Sequence, residues 1–441
     1  MHKDTLIFEE LTKLKDIKSV NDKQAYIKEL SDKESPTIEV VKFLLDPAIT
    51  TGIDRKKIGK RIKYDEHPNM CLMDLLEYLK KNNTGRKEDL AIVKSFLYLY
   101  PEQYRETIIG LITKTLKIGL TAKTLNKVIP ESITILEFMR AKGYMERVEK
   151  GFFDYDKEYV VSEKIDGVRC AIIKDKDGNV SMFSRQGKEI FGLDELKEIF
   201  KSDKVPSAVY DGELLHMGVF DTEEERFQKT CSVINLKLSD KKDISFIAFD
   251  KVDVEDFFEG YSDAPYIDRH NDLINTLSTL DSNIVFTTED MDFYRVGKVS
   301  HFQLMEMLEE CDDMGKEGIM INLADAPYKG MRTDAILKLK KDLIADVRIV
   351  DFIEGNGKNK GVLGSLVVEF RYDGIPNRCN VGSGFTEDER YDIWNNKEYY
   401  LNKIIEVKYQ KITQNESGLG YALGFASYNH RIRDDKNETN V

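Results

Sequence analysis

Through the first 130 residues apolar positions recur every three or four residues. Asp16 to Leu30, Thr37 to Leu45 and Leu75 to Lys80 are therefore predicted to be amphipathic helices. Few β-branched alternations interrupt this front region, and Pro130 falls near its end. Beyond residue 155 strands mix with helices. Val168 to Lys174 and Val180 to Ser184 predict two strands joined by a hairpin at Asp175-Lys176-Asp177-Gly178-Asn179. Tyr159 to Val161, Ala208 to Leu215, Ile244 to Val252, Glu317 to Asn322 and Ala335 to Lys340 read as further extended segments, and Phe302 to Glu310 as a helix. After Lys341 the pattern is mostly β, with Val347 to Ile353, Ser365 to Tyr372, Arg378 to Val381 and Ile404 to Gln410 as short strands. The capping box Thr386-Glu387-Asp388-Glu389 starts one helix there, Arg390 to Tyr399. The tail after Lys436 is polar and expected to fray. The pattern divides the chain into a helical domain over 1–129, an α+β domain over 130–341 and a β-rich domain over 342–441. The last suits a five-stranded OB barrel.

Composition narrows the class without changing that division. At 441 residues, 41% hydrophobic and 33% charged, the chain reads as globular and cytoplasmic. No apolar run approaches the length of a membrane span, and Met1-His2-Lys3-Asp4-Thr5 lacks the apolar segment of a signal peptide. The five cysteines are far apart with no C-x-x-C, which excludes the common zinc sites and fits a reducing compartment. A net charge of −13 weighs against indiscriminate nucleic-acid binding but leaves room for local basic patches. Two stretches qualify, Arg55 to Lys63 and Lys114 to Lys127, and the ordinary reading of each is a solvated helix face. In the second, Gly119 followed by Thr121 predicts a helix stop and a new N-cap, whose exposed N–H groups suit phosphates.

The candidate chemistry lies in short segments spread through the second half. Glu163-Lys164-Ile165-Asp166-Gly167-Val168-Arg169 puts a lysine at a strand-to-loop junction. Neighbouring cations and partial desolvation would make such an amine a nucleophile. Arg185, in Ser184-Arg185-Gln186-Gly187, could pair with a phosphate bidentately. Asp211 and Glu213 of Tyr210-Asp211-Gly212-Glu213-Leu214 share one strand face, and a carboxylate there suits a ribose. Phe246-Ile247-Ala248-Phe249-Asp250 is an apolar strand whose aromatics read first as core. Glu317, in Glu317-Gly318-Ile319-Met320, offers a single carboxylate, enough for Mg²⁺, which keeps several waters. In Ala335-Ile336-Leu337-Lys338-Leu339-Lys340 two lysines share a face and repel each other unless an anion lies between them. Glu354 to Gly361, Val381 to Thr386 and the terminal His430-Arg431-Ile432-Arg433-Asp434-Asp435-Lys436 complete the series. Singly, each segment reads as a turn, a solvated face or core.

Together and in this order they resemble the polynucleotide ligase and capping-enzyme superfamily, with Lys164 in its K-x-D-G-x-R motif. The whole chain resembles a compact ATP-dependent DNA ligase of the phage type. The resemblance implies a multidomain protein: an all-α N-terminal DNA-binding domain, an α+β nucleotidyltransferase domain that is ATP-grasp-like, and a C-terminal β-barrel OB-fold. It implies catalytic roles for Lys164, Asp166, Lys338 and Lys340. It implies nucleotide contacts from Glu163, Lys164, Arg169, Arg185, Glu213, Phe249, Lys338, Lys340, Arg433 and Lys436, with Phe249 stacked on adenine and Glu213 on the ribose. Glu317 would hold Mg²⁺, ATP would be the donor, and nicked duplex DNA the partner of a monomer that makes no membrane contact. A phage or viral origin is compatible. The chain departs from the family in lacking an aromatic near Ile336 and a proline before its R-x-D-K segment. RNA ligases share the nucleotidyl motifs but usually lack this OB domain. GTP-dependent capping enzymes lack the helical front, and a non-catalytic DNA clamp would tolerate loss of Lys164, Glu317 or Lys338. With no four-cysteine zinc module, NAD is not expected as donor.

Overall fold

The computed structural model describes residues 2–64, 70–236, 240–414 and 420–441. They form two compact units, Met1–Met307 with Ile319–Lys338, and Leu308–Gly318 with Leu339–Val441.

The first unit begins with helices His2–Asp16, Val20–Asp32, Thr37–Leu45, Arg55–Gly59, Leu72–Lys81, Lys87–Tyr98, Glu102–Ile112 and Ala122–Asn126. Their apolar faces meet in one core that includes Phe8, Phe43, Leu75, Leu79, Val93, Phe96 and Leu111. The predicted helix from Asp16 to Leu30 is corrected: Asp16 ends one helix, and Ser19, accepting from the Asp22 N–H, caps the next. The serine hydroxyl satisfies an otherwise orphaned donor and so interrupts a periodic apolar pattern. Thr121 accepts from the Thr124 N–H at 3.2 Å, so the predicted N-cap is present, but Gly119, at φ +72°, stops no helix: the preceding helix already ends at Ile112, and Lys114 just beyond it takes φ +54°. Lys114, however, does not lie on a solvated face. Its amine donates to the carbonyls of Asp46 and Ile49, and burial draws its pKa down to about 8. The amine of Lys23 likewise donates to the Ile118 carbonyl at 2.7 Å, fixing the chain just before Gly119.

Two five-stranded sheets follow in the same unit. One has the order Arg140–Gly143, Arg332–Leu339, Ile319–Leu323, Tyr159–Glu163, Tyr294–Gly297. The other runs Val180–Ser184, Val168–Lys174, Ala208–His216, Ile244–Val252, Val285–Thr287. The predicted strands Val168–Lys174, Val180–Ser184 and Ile244–Val252 have their predicted bounds. Cys170, Ile172, Tyr210, Leu214, Phe246 and Ala248 share the core on one face of the second sheet. Ala171, Ile173, Val209 and Val252 join Phe138, Phe257 and Tyr328 on the other.

The second unit is built on an antiparallel sheet ordered Ile375–Val381, Leu363–Tyr372, Leu343–Glu354, Ile404–Tyr409, Ser427–Ile432. A parallel bridge between Ser383 and Ser427 links the chain just beyond one edge strand to the start of the other. Thr386 caps a helix as expected, but that helix spans Glu387–Asn395 and a separate turn follows at Lys397–Tyr400. The tail does not fray: Asp346 and Asn440 exchange backbone hydrogen bonds at 2.8 and 3.0 Å.

Candidate active site

The Tyr159–Glu163 strand pairs with Ile319–Leu323 on one side and Tyr294–Gly297 on the other, so all five of its residues are buried. The chain leaves the sheet at Glu163, whose N–H donates to the Phe293 carbonyl at 2.8 Å. Lys164 is the first residue beyond. Ile165 is buried and anchors the loop, while Lys164 and Asp166 remain half-buried. Gly167 closes it by approaching the next sheet. A Cβ at Gly167 would lie 2.6 Å from the Leu214 carbonyl oxygen and 3.0 Å from Glu213 Cβ. A larger residue would push the Lys164 loop away from Glu213.

Opposed residues of antiparallel strands share a face. Arg169 lies opposite Glu213, and Ala171 opposite Asp211, so Arg169, Asp211 and Glu213 gather on the face turned from the Cys170–Tyr210 core. Asp211 is 2% exposed and is gripped bidentately: Arg169 Nε donates to Oδ1 at 2.9 Å and Nη2 to Oδ2 at 2.6 Å. Burial opposes the arginine charge, but the Asp211 carboxylate outweighs it and Glu213 adds to the effect, so the guanidinium is held more firmly protonated than usual. The guanidinium also lies 4.8 Å from the ring centroid of Phe138 and 5.2 Å from that of Phe249. Phe249 is half-buried and follows a break in register, with Gly212 opposite Ala248 and Asp211 opposite Asp250. Phe249 is thus the extra residue of a β-bulge, which brings Asp250 onto the face of Asp211.

Arg185 stands in the turn after Val180–Ser184, closed by the Gly187 N–H donating to the Ser184 carbonyl at 2.8 Å. Burial lowers the Arg185 pKa, the charges of Arg169, Arg140 and Arg332 lower it further, and Glu213 opposes them. Arg140 and Arg332 are paired in register on parallel strands. Four guanidinium groups therefore act in one field beside the Glu213 face, an arrangement that favours an anion among them. Arg140 and Arg332 carry no motif. Each is an ordinary arginine at the start of its strand, Arg140 of a four-residue and Arg332 of an eight-residue one, and only the sheet pairing brings them together.

Residues 139–340 match the profile of the ATP dependent DNA ligase domain, and residues 354–429 that of the DNA ligase OB-like domain. The chain belongs to the ATP-dependent DNA ligase family. It is 24% identical to the DNA ligase of Enterobacteria phage T4 over 421 residues, covering 85% of this chain and 80% of that one. It is 27% identical to a DNA ligase of Methanococcus maripaludis over 310 residues, covering 63% of this chain but 53% of the archaeal protein. The solved structure titled Pmar-Lig_PreS3 shares the fold, with a TM-score of 0.70 at 23% identity over 97% of this chain and 99% of that one. Among the described residues no helix is long and apolar enough to cross a membrane.

The remaining ligase-motif residues fall as follows. Lys338 is half-buried near the end of Arg332–Leu339, opposite Gly143. In the second unit, Glu317 does not begin a strand as expected. The strand starts at Ile319, and Glu317 lies in the short loop before it. Lys340 falls just past the end of its strand, where its Nζ lies 3.3 Å from Glu317 Oε1 and donates to Gln410 Oε1 at 2.6 Å. No group of three or more His, Cys, Asp or Glu side chains among the described residues could form a protein cage for a metal. One partly buried carboxylate such as Glu317 still fits Mg²⁺, which binds through one or two carboxylates plus substrate phosphates. Arg433 pairs with Asp346 at 3.1 Å, Glu406 at 3.3 Å and Asp435 at 2.9 Å, and Lys436 pairs with Asp346.

Proposed function

We propose that this chain joins 5′-phosphate and 3′-hydroxyl ends at nicks in duplex DNA, with ATP as the activating nucleotide. The observation that carries the reading is the convergence on one face: the Lys164 loop packs on Glu213, beside Arg169 and the ring of Phe249. Lys164 Nζ attacks the α-phosphate, a P–N bond forms, the α–β bridge breaks and pyrophosphate leaves. The 5′-phosphate of the nick then displaces the lysine and takes the AMP. The 3′-hydroxyl attacks that activated phosphate, forms the phosphodiester and releases AMP. Charge builds on phosphoryl oxygens at each step, so positioned cations lower the barriers.

Phe249 stacks on the adenine, Glu213 and Glu163 accept from nucleotide hydroxyl or amine groups, and Asp166 orients the lysine loop. Arg169 and Arg185, with Arg140 and Arg332, receive phosphate. Lys338 and Lys340 act on the triphosphate, and Arg433 and Lys436 on its departing pyrophosphate. Glu317 would hold Mg²⁺, which when bound neutralises phosphate charge. In this reading residues 1–129 and the OB domain of 342–441 bind the duplex, residues 130–341 form an ATP-grasp-like nucleotidyltransferase domain, and the protein works as an intracellular monomer. The test is direct. The protein is offered labelled ATP, GTP or NAD, then a 5′-phosphorylated nicked duplex or its RNA counterpart. Labelling by ATP followed by sealing of the DNA nick supports the reading; labelling by GTP or NAD, or sealing of RNA alone, overturns it.

A further inference from the structure

Phe249 stands outside the regular strand pairing, and side chains take up its carbonyl. Tyr266 Oη donates to it at 2.9 Å and His270 Nδ1 lies 3.1 Å from it. The next residue, Asp250, is 4% exposed and receives two bonds from Arg269, Nε to Oδ1 and Nη2 to Oδ2, both at 2.9 Å. Tyr266, Arg269 and His270 stand at i, i+3 and i+4 of the helix Tyr266–Leu277, so one helical turn presents all three. That turn is itself fixed, because the N–H groups of Tyr266 and Ile267 donate to the carbonyls of Ala326 and Ala324 at 2.8 and 2.9 Å.

The histidine is fully buried and stacks on Tyr266, with ring centroids 5.4 Å apart and planes 16° from parallel. The Phe249 carbonyl only accepts, so the proton belongs on Nδ1. His270 Nε2 has no hydrogen-bond partner among the described residues, and burial draws the ring's pKa down, so the imidazole is neutral.

We propose that Tyr266, Arg269 and His270 are positioning residues for the nucleotide base. They clamp the bulge at Phe249 and Asp250, holding the Phe249 ring between the Arg169 guanidinium and the base. A bulge is a place where a strand can bend, and a ring carried on it turns with the backbone. With the carbonyl released, the ring loses its fixed angle, base binding weakens, and the phosphate chemistry at Lys164 is left intact. The inference rests on the reading of Phe249 as the base platform.

Arg269→Ala would leave Asp250 buried without its partner, so the two neutral donors carry the test. In the double variant Tyr266→Phe, His270→Leu, the KM for ATP in self-adenylation is expected to rise about fivefold or more, two lost hydrogen bonds to one carbonyl. The adenylation kcat should stay within about twofold, the pattern of lost ground-state binding. Inorganic tripolyphosphate, which has no base, should inhibit as before. His270→Asn keeps a donor near Nδ1 and should recover most of the affinity that His270→Leu loses. Three results would overturn the clamp. The first is an unchanged KM in the double variant while Phe249→Leu raises it. The second is a joint rise of the ATP KM and the tripolyphosphate inhibition constant, the mark of general loosening. The third is an unchanged KM in Phe249→Leu, which removes the base platform and the clamp with it.

Discussion

Burial draws the Arg185 pKa down, and the positive charges of Arg169, Arg140 and Arg332 draw it further, with Glu213 opposing them. Arg433 is gripped by Asp346, Glu406 and Asp435, with Lys436 on Asp346 as well. Arg185 and Arg433 each sit in a ligase motif at the head of a set of cations, yet their surroundings differ in sign. The first is ready for an anion, since phosphate relieves repulsion there. The second must loosen its own carboxylates before it can meet one. The contrast suits two phosphates of different duration, a nick phosphate held through the reaction and a pyrophosphate met once and released.

The largest expected effect tests the one paired arginine of the first set. Arg169→Ala leaves Asp211 buried without its partner, and urea unfolding should show a loss of about 3–5 kcal/mol. A loss near zero would mean that the pair is incidental and that Asp211 finds solvent. Next comes the second set. Arg433→Ala with Lys436→Ala should slow self-adenylation about a hundredfold, the scale of a lost charge-stabilising donor. Sealing of pre-adenylated nicked DNA should change little. Equal damage to both steps would assign these cations to folding or DNA binding, and the contrast would collapse.

The difference between the two sets was not legible in the sequence, because the partners are far away in the chain. Asp346 and Glu406 precede Arg433 by whole strands, and nothing local marks them as its counter-charges. Local patterns are legible where turn chemistry bounds an apolar run. Val168–Lys174, buried on both faces from Cys170 onward, and Val180–Ser184 are separated by Asp175 to Asn179, which carries its turn chemistry. The motif residues Arg169, Glu213 and Phe249 came out of the sequence too, and fall around one sheet face. The bulge that sets Phe249 apart did not, because an apolar run gives no sign of an extra residue. Nor did the Lys114 staple, since a lysine that buries its amine on carbonyls reads like any other in a basic run. The sequence predicts a strand from Glu317 because Ile319 to Asn322 is strongly β, and nothing in the apolar pattern marks the loop of Glu317 and Gly318 before it.

Smaller effects sharpen the comparison further. Glu317→Gln removes one charge while keeping shape, and half-maximal adenylation should then need about tenfold more Mg²⁺. An unchanged Mg²⁺ requirement would leave Glu317 as the partner of Lys340 and nothing more. Arg140→Ala and Arg332→Ala should each weaken binding of nicked DNA across all sequences and reduce the slope of log affinity against log salt by about one. An unaltered slope would remove these two arginines from the anion-ready set.

The central claim is that Lys164 carries the nucleotide, and mapping the adduct tests it most directly. The protein is incubated with ATP labelled at the α-phosphate, digested, and the labelled peptide sequenced. The account predicts one AMP on the Lys164 amine, and no label on a Lys164→Ala variant that melts at the wild-type temperature. Label on another residue, or undiminished label in that variant, would contradict it.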